Sequence, residues 1–487
     1  MKQSIALGVA SLSILCLLVT APLMLGEVRL ATCFSDNMVL QRDMPVPVWG
    51  TADSGERVTV EFAGQKKTTT ADGSGNWMIK LDPLMASANP ATFVAEGKNK
   101  IEFKNILVGE VWFCSGQSNM LASLERILKT KELNASIVER INQELATTTP
   151  GIRLLRVGVN KVTKVRNTWT ECNPEALKNE IKGPQGFSAV GYFFGKKLRE
   201  ELNVPIGLIE SAVGGTVIET WSPPDGKNFV PYVKPLPPFA IRGIIWYQGE
   251  SNVIAANEGA KYADKMKELI EGWRNLWMRP ELPFYYVQLP PMAYTKRNRP
   301  ALLTTEALPQ FREGQAMALR IPHTGMVITT DLAKAYDLHP TNKWDVGLRL
   351  ALVALAQTYG RTDIEFSGPV YKVMQKTGNK IAITFDHIGG GLVSKGGGPL
   401  TDFQIAGSDR HFFPAQAGIE GDKVIVSSDK VSAPVAVRFA WHEESRPNFF
   451  NKAGLPAAPF RTDDWPVTIN ALGAGTGPAT DDTAAKE

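Results

Sequence analysis

The sequence predicts an α/β protein in which a parallel sheet, covered by helices on both faces, is flanked by N- and C-terminal β-sandwich-like regions. Two patterns predict this architecture. Between residues 106 and 360, short apolar segments alternate with helical stretches, as they do in parallel sheets. On both sides of that block, alternating or β-branched segments are separated by turn residues, which is typical of antiparallel β structure.

Length and composition agree with a large globular protein. The chain has 487 residues, which corresponds to about three domains of ordinary size. Hydrophobic residues make up 44% and charged residues 21%, so neither disorder nor a fibrous class describes the chain. The formal net charge is +4 without a clustered basic run, which gives no reason to expect nucleic acid as a partner.

Residues 1–26 have the layout of an export signal. Lys2 is their only charge, and the stretch from Ile5 to Leu25 is almost continuously apolar or small. We therefore expect a cleaved signal peptide and a secreted or periplasmic protein. A transmembrane anchor is the alternative, because the apolar stretch approaches spanning length, and contact with a membrane is expected only if the segment stays uncleaved. The three cysteines beyond it allow at most one disulfide.

The N-terminal region, residues 27–105, is predicted to be a β-sandwich-like domain. Turn chemistry such as Asp53-Ser54-Gly55 and Asp72-Gly73-Ser74-Gly75 separates its strands. The predicted strands are Val46–Gly50, Val58–Phe62 and Trp77–Leu81.

The central block, residues 106–360, is predicted to form the parallel sheet and its helices. Its strand candidates are short and apolar: Ile106–Cys114, Ile206–Ile209, Gly243–Tyr247, Phe284–Val287 and Thr324–Ile328. Its helix candidates are a run from Asn119 past Lys131, then Ser188–Leu202, Tyr262–Leu276 and Trp344–Gln357. In sheets of this kind the ligand site lies beyond the carboxyl ends of the strands.

The C-terminal region, residues 361–465, returns to strands and is predicted to be a second β domain. The strand candidates are Val370–Val373, Lys380–Phe385, Val424–Val426 and Val435–Phe439. Residues 466–487 are small, polar and rich in Gly, Ala and Thr, and we predict a disordered tail.

The first candidate for chemistry is Ser118, in the run Cys114-Ser115-Gly116-Gln117-Ser118-Asn119-Met120, where a strand ends and a helix begins. A serine there has its hydroxyl at the top of the sheet, and helix N-terminal N–H groups nearby can stabilise a developing anion. The alternative is a structural helix N-cap, a position that serine and asparagine often occupy.

The second candidate is the run Trp246-Tyr247-Gln248-Gly249-Glu250-Ser251-Asn252, which follows another apolar strand. Gln248 and Asn252 offer neutral amide donors, which suit an oxyanion hole because they supply a dipole without a titrating charge. The alternative is a loop capping motif in which Glu250 only orders the backbone.

The third candidate is Asp337-Leu338-His339-Pro340, in a loop between a strand and the Trp344 helix. Histidine suits general-base work near neutral pH, and a carboxylate close by can orient its ring. A structural histidine is the alternative. Of the five histidines, His323 is the other one in the central block, but it precedes a strand and so lies at the opposite edge.

Taken together, the three motifs indicate a single site. Each follows a strand of the same parallel sheet, so Ser118, Gln248 and His339 are expected at one sheet edge. The turn Gly214-Gly215-Thr216 follows the Ile206 strand and adds backbone N–H groups that face the same point.

These motifs resemble those of the sialate O-acetylesterase family, part of the SGNH (GDSL-like) hydrolase group of carbohydrate acetylesterases. The resemblance runs from about Phe34 to Arg461, nearly the whole chain after the signal. Besides the three motifs and the glycine turn, it is carried by Leu40-Gln41-Arg42, Pro47-Val48-Trp49-Gly50, Gly109-Glu110-Val111-Trp112, Val287-Gln288-Leu289, Arg312-Glu313-Gly314-Gln315, His339-Pro340-Thr341-Asn342-Lys343, Gly454-Leu455-Pro456 and Pro459-Phe460-Arg461.

The resemblance implies an SGNH-like esterase fold and removal of O-acetyl groups from sugars, most of all sialic acids, with no metal and no cofactor. Ser118 matches the nucleophile and His339 the general base. The oxyanion hole is expected from the Ser118 N–H, Gly215 and Gln248. Substrate contacts are assigned to four further residues: Gln117, Asn119, Glu250 and Asn252.

Two departures from the group's pattern concern the acid and the amide. The group places its acid three residues before the histidine, whereas Asp337 is two before; we assign Asp337 as the catalytic acid, with Asp331 or a backbone carbonyl as alternatives. The usual asparagine of the third block is glutamine here, and Asn252 is the alternative to Gln248.

Two other functions fit the same residues. An acetylxylan or other glycan acetylesterase could use the same fold and the same serine chemistry. A non-catalytic carbohydrate-binding protein could use two β regions and exposed tryptophans to hold glycans, with an inert serine.

Overall fold

The computed structural model describes residues 27–130, 133–158, 168–178, 186–255, 259–297 and 303–467. The predicted signal peptide lies outside these residues, and so does the predicted tail apart from its first two residues. In the described ranges no helix has the length and apolar character needed to cross a bilayer.

The N-terminal region consists of two layers that are antiparallel except for one short strand, Val39–Gln41, which pairs in parallel with the last strand of the region. Its strands are β1 (Arg29–Leu30), β2 (Val39–Gln41), β3 (Val46–Thr51), β4 (Arg57–Phe62), β5 (Gln65–Thr70), β6 (Asn76–Leu81), β7 (Ser87–Glu96) and β8 (Lys100–Gly116). β1, β3 and β6 form one layer, while β5, β4 and β7 continue into β8. In β4 and β6, alternate apolar side chains are buried between the layers, as the period of a strand requires. The predicted sandwich-like strands are confirmed.

Strand β8 joins the N-terminal region to the central sheet. It is 17 residues long: its first part pairs with β7, and its second part pairs in parallel with strands of the central sheet. The domain boundary predicted at 105/106 therefore falls inside a single strand. One hydrophobic core runs from Val28 to Leu355, so the two regions are packed as one body.

The central block contains the remaining strands of the large sheet and its helices. The elements are α1 (Ser118–Leu121), α2 (Leu124–Leu128), α3 (Ala135–Ala146), β9 (Thr149–Arg156), β10 (Thr170–Cys172), α4 (Pro174–Lys178), α5 (Ala189–Leu202), β11 (Ile206–Ala212), α6 (Phe229–Tyr232), β12 (Gly243–Tyr247), α7 (Glu250–Ile254), α8 (Tyr262–Trp277), β13 (Phe284–Val287), α9 (Ala307–Met317), β14 (Thr324–Val327) and α10 (Lys343–Gln357). Four 3₁₀ turns lie at Ile218–Trp221, Gly259–Lys261, Tyr294–Lys296 and Ala318–Arg320.

The strand order of the central sheet is β10-β9-β11-β8-β12-β13-β14. All neighbouring pairs are parallel except β9 with β10. Strand β8 lies in the middle, between β11 and β12. The turns that follow these three strands therefore come together at one edge, which is where the sequence motifs were expected to meet.

The helices begin and end where capping chemistry allows. α5 starts after Ser188, whose hydroxyl accepts a hydrogen bond from the Gly191 N–H at 3.0 Å, and ends at Asn203 with a positive φ of 50°. The predicted helical run from Asn119 past Lys131 is divided into two short helices in its described part, and Lys131 lies outside the described residues. Ser123 interrupts it, because its hydroxyl caps a new helix, α2, by accepting from the Arg126 N–H at 3.2 Å.

The C-terminal region is all-β, and the predicted β-rich flank is confirmed. Its strands are β15 (Val370–Thr377), β16 (Lys380–Asp386), β17 (Leu392–Ser394), β18 (Phe403–Ala406), β19 (Phe412–Pro414), β20 (Gln416–Glu420), β21 (Lys423–Ser427), β22 (Ala436–Phe439), β23 (Phe449–Asn451) and β24 (Phe460–Arg461). They form small antiparallel sheets around their own core, which runs from Ile381 to Phe460.

The three cysteines that the structure describes form no disulfide bond. Cys33, Cys114 and Cys172 are buried, and all three are free thiols. Burial raises the pKa of Cys172 to about 12, so its thiol stays protonated and unreactive near neutral pH. The stability of the protein therefore depends on its two hydrophobic cores.

Candidate active site

The turn that carries Ser118 follows β8 and lies between the turns that follow β11 and β12. Ser118 is the first residue of α1, directly after β8, and its side chain is 9% exposed. Gly116 has a φ of +140°, and a Cβ there would lie 2.2 Å from the Tyr247 carbonyl oxygen, so only glycine allows the chain to turn so close to β12. On the other side, the Val213 N–H donates to the Gly116 carbonyl at 3.1 Å, which places the turn after β11 beside Ser118.

His339 contacts Ser118 directly. The distance from His339 Nε2 to Ser118 Oγ is 2.9 Å, across a sequence separation of 221 residues. Burial, together with the positive charges of Arg126, Lys343 and Arg297, lowers the pKa of His339 to about 4. The ring is therefore neutral near pH 7 and its Nε2 can accept the serine proton.

Asp337 does not reach the ring of His339. Its Oδ1 accepts a hydrogen bond from the backbone N–H of His339 at 2.9 Å. This is the local turn that an aspartate forms with the N–H two residues on, and the spacing of two favours it over a contact with the ring. Asp331, the alternative acid, forms a two-point ion pair with Arg349 at 2.7 Å. Among the described residues, no carboxylate hydrogen-bonds to the His339 imidazole.

Gln248 is fully buried and its amide is occupied. Its Nε2 lies within hydrogen-bond distance of Gln117 Oε1 (3.1 Å), the Thr216 carbonyl (2.9 Å) and Asn252 Oδ1 (2.7 Å). Its Oε1 accepts from the Tyr262 hydroxyl at 2.6 Å. The amide NH₂ of Gln248 has two protons, and three acceptors surround it. Gln248 therefore connects the Gly214-Gly215-Thr216 turn to Gln117, the residue before Ser118. As an oxyanion donor it lacks a free N–H in this arrangement.

Gln117 and Asn252 also make internal contacts. Gln117 Oε1 accepts from Gln248, and the N–H groups of Gly249 and Ser251 lie 3.4 Å from it. Asn252 is completely buried: its Oδ1 also accepts from the Ile218 N–H at 2.9 Å, and its Nδ2 donates to Glu219 at 3.1 Å. Both side chains therefore join loops around the site, and the predicted contacts with substrate remain predictions.

A buried network ties the nucleophile helix to the histidine loop. Asn119 Nδ2 donates to Glu250 Oε1 and to the Leu338 carbonyl (3.0 Å), and its Oδ1 accepts from Lys343 Nζ at 2.6 Å. Asn119, Glu250 and Lys343 are at most 2% exposed. Burial raises the pKa of Glu250 and lowers the pKa of Lys343 to about 7. Since Leu338 precedes His339, the network fixes the histidine loop relative to Ser118.

Sequence reasoning missed Lys343 as a member of the site. The signal for it was its place directly after Asn342, at the start of an apolar helix that follows the His339 loop. A lysine at a helix start is ordinarily solvated, but this ammonium lies 5.3 Å from the centre of the Tyr247 ring and inside the protein.

Two backbone N–H groups near Ser118, its own and that of Gly215, are candidates for an oxyanion hole. Ser118 begins α1 without a side-chain cap, so its N–H has no intrahelical partner. Gly215 has a φ of +72°, and a Cβ there would meet no atom within 4 Å, which indicates open space beside the turn. A Cβ on its neighbour Gly214 would lie 3.6 Å from Ser118 Cβ. This arrangement suits an oxyanion hole built from backbone groups.

The side chains that could bind a metal ion do not cluster within the described residues. In the ranges that the structure describes, no group of three or more His, Cys, Asp or Glu side chains could hold a metal ion. The chemistry available to these residues is acyl transfer through a serine paired with a neutral imidazole.

Comparison with known proteins agrees with this chemistry. A family model described as "Carbohydrate esterase, sialic acid-specific acetylesterase" matches residues 108–356. The sialate O-acetylesterase of Homo sapiens is 27% identical over 89% of this chain and 92% of its own length, and that of Rattus norvegicus is 28% identical over 71% and 76%. The solved structure of a carbohydrate acetylesterase from Xanthomonas citri is 36% identical, with a TM-score of 0.79, over 90% of this chain and 100% of that chain.

Proposed function

The chain belongs to the carbohydrate esterase family of sialic acid-specific acetylesterases, and from this membership we propose that it is a serine hydrolase that removes O-acetyl groups from sialic acids. The observation that carries the catalytic assignment is the 2.9 Å contact between Ser118 Oγ and His339 Nε2 at the carboxyl edge of the sheet. The match to the family spans both residues, since its range is 108–356.

The first half of the reaction forms an acetyl-enzyme. His339 Nε2 takes the proton of Ser118, and the serine oxygen attacks the carbonyl carbon of the acetyl group. The tetrahedral oxyanion accepts hydrogen bonds from the N–H groups of Ser118 and Gly215. The bond to the sugar oxygen then breaks, and the imidazolium returns its proton to that oxygen, so the sugar leaves as an alcohol.

The second half regenerates the serine. A water molecule gives a proton to His339 and attacks the acetyl carbonyl through the same tetrahedral geometry. The bond to Ser118 Oγ breaks, the proton returns from the imidazolium to the serine, and acetate leaves. His339 has to be neutral at the start of each half, which its low pKa ensures near neutral pH.

Replacement of Ser118 tests the assignment, and the chain offers a matched control. Ser115 lies three residues earlier, is also buried, and its hydroxyl has no hydrogen-bond partner in the described residues. Ser118→Ala should abolish release of p-nitrophenol from p-nitrophenyl acetate, whereas Ser115→Ala should retain it. Near-normal turnover by a folded Ser118→Ala variant would contradict the assignment.

A broader glycan acetylesterase is the second candidate function. The Xanthomonas citri enzyme, described as a carbohydrate acetylesterase, is more similar to this chain than the sialate O-acetylesterases given above. Acetate release from O-acetylated N-acetylneuraminic acid and from acetylated xylan, measured side by side, separates the two. A non-catalytic glycan binder is tested by a fluorophosphonate probe, because covalent labelling at Ser118 requires an activated serine.

Export of the protein is also a proposal. It is supported by the single charge at Lys2 followed by a long apolar stretch in residues 1–26. N-terminal sequencing of protein recovered outside the cytoplasm should find the mature chain beginning after this segment. Recovery of the intact Met1 terminus in the membrane fraction would support an anchor instead.

A further inference from the structure

The net charge of the chain is small, but the charged side chains that shift the pKa of the His339 ring are all cationic. Three cationic side chains act on the imidazole: Arg126 from α2, Lys343 from α10 and Arg297 from the loop after β13. No carboxylate in the described residues opposes them by bonding to the ring, since Asp337 accepts from the backbone and Asp331 is paired with Arg349. The charges that act on the imidazole itself are therefore positive.

Lys343 is not available to a substrate. Its ammonium is buried, and it donates to Asn119 Oδ1 at 2.6 Å inside the network described above. The two arginines are half-buried. Both act on the His339 ring, and both are more exposed than Lys343.

The segment that ends at Arg297 is fixed beside the histidine loop. The Ala293 N–H donates to the Ala335 carbonyl at 2.6 Å, and Lys296 Nζ donates to the Tyr336 hydroxyl at 2.8 Å. Arg297 directly follows these contacts, so its backbone position relative to His339 is set by two bonds between the loops.

The C-terminal β unit supports the same segment from outside. Glu443 is 1% exposed; its backbone carbonyl accepts from the Met292 N–H at 3.0 Å, and its carboxylate accepts from the Thr295 N–H at 3.1 Å. The Thr295 hydroxyl donates to the same carboxylate. The loop that carries Arg297 is therefore held from both sides.

Arg297 itself has no protein partner in the part of the chain that the structure describes. Its neighbour Lys296 pairs with Glu444, but the Arg297 guanidinium makes no hydrogen bond or ion pair with a described residue. Because Arg297 is only partly buried, its guanidinium can reach solvent and pair with an anionic ligand. The planar fork of an arginine matches the two oxygens of a carboxylate.

We propose that Arg297 binds the carboxylate of an anionic sugar substrate and thereby selects acetylated sialic acids over neutral acetylated sugars. The inference rests on the proposed esterase function and adds to it the group that recognises the acid. Arg126 contributes to the positive field that attracts the anion, while Arg297 supplies the hydrogen bonds.

The test pairs two substrates with two variants of the full chain. The substrates are O-acetylated N-acetylneuraminic acid and its carboxyl methyl ester, which differ in the negative charge, and the signal is acetate release. The variants are Arg297→Gln and Arg320→Gln. Arg320 is a matched control because it is exposed and lies before β14, at the sheet edge opposite the site.

The quantity that decides is the ratio of kcat/KM for the acid to kcat/KM for its methyl ester. We expect a ratio of roughly ten to a hundred for the wild type, as a charge-assisted hydrogen bond gives, and a ratio near one for Arg297→Gln, mostly through KM. Arg320→Gln should keep the wild-type ratio. A wild-type ratio near one, or a ratio that Arg297→Gln leaves unchanged, overturns the proposal while the esterase function stands.

Failure of the proposed function gives a different result. In that case the wild type releases no acetate from either sugar, although p-nitrophenyl acetate reports whether the serine is active. Acetate release from both sugars with equal efficiency, by contrast, leaves the esterase and removes only the role of Arg297.

Discussion

The role of Asp337 can be decided by one substitution, Asp337→Asn. In the structure its carboxylate accepts from the backbone N–H of His339 at 2.9 Å and makes no bond to the imidazole. Asparagine forms the same turn through its side-chain oxygen, because both residues accept from the N–H two positions on. The substitution therefore keeps the geometry of the loop and changes only the charge of the acceptor.

The expected loss follows from that single hydrogen bond. A bond to a charged acceptor contributes about 1.5–3 kcal/mol and a bond to a neutral acceptor about 0.5–1.5 kcal/mol, so the difference is about 1 kcal/mol, or roughly five- to tenfold in kcat/KM. Asn119 limits the loss further, since it holds the Leu338 carbonyl independently at 3.0 Å. If Asp337 oriented the ring as a triad acid does, the loss would be roughly 10⁴-fold.

The assay is kcat/KM for p-nitrophenyl acetate at pH 7, with His339→Ala and Asp331→Asn measured in parallel. His339→Ala should lose roughly 10⁴-fold or more, as loss of the base requires. Asp331→Asn should reduce stability rather than turnover, because Asp331 pairs with Arg349. A thousandfold or larger loss of kcat/KM in a folded Asp337→Asn variant would refute the reasoning. It would show that Asp337 orients the His339 imidazole during catalysis.

Three further outcomes are expected. The wild-type kcat/KM should fall on the acid side with a midpoint near pH 4, because the pKa of His339 is lowered to about 4 and its neutral form persists down to that pH; a midpoint at 6.5 or above would contradict the buried, positive environment. Gln248→Leu should lower the free energy of unfolding by about 1–3 kcal/mol and lower kcat, because it leaves buried groups around the glycine turn without partners; unchanged denaturant unfolding would argue against it. Asn119→Ala should lower kcat and cost about 1–3 kcal/mol in unfolding, since Glu250 and Lys343 lose their shared partner; unchanged kcat would contradict the positioning role of the network.

The position of the site could be predicted from the sequence because it depends on topology alone. Ser118, Gly215 and Gln248 each follow a parallel strand, and such turns share one edge whatever the order of the strands. The long strand β8 was not predictable in the same way. In residues 100–105 the exposure of the side chains alternates, as in an antiparallel strand, whereas residues 106–116 are all buried. Because this one strand has two different patterns, the sequence indicated a boundary between two regions.

The direction of each side chain within the site could not be predicted. Asp337 and Gln248 have the residue types of a triad acid and an oxyanion donor, but their partners depend on loop geometry. Asp337 turns back to its own backbone, and the amide of Gln248 meets three acceptors that come from different loops. Residue type and spacing do not encode such contacts, since each needs the final position of a distant segment.

The contacts around Ser118 and His339 affect the pH range over which His339 can act as a base. A carboxylate that orients a catalytic histidine loses its charge, and with it its hold on the ring, as the pH approaches the pKa of an aspartate near 4. Here Asn119 Nδ2 holds the loop through the Leu338 carbonyl, a bond between two groups that do not titrate. The base itself is protonated only near the same low pH. The base form of the dyad therefore persists into mildly acidic solution, where a histidine of ordinary pKa is already protonated.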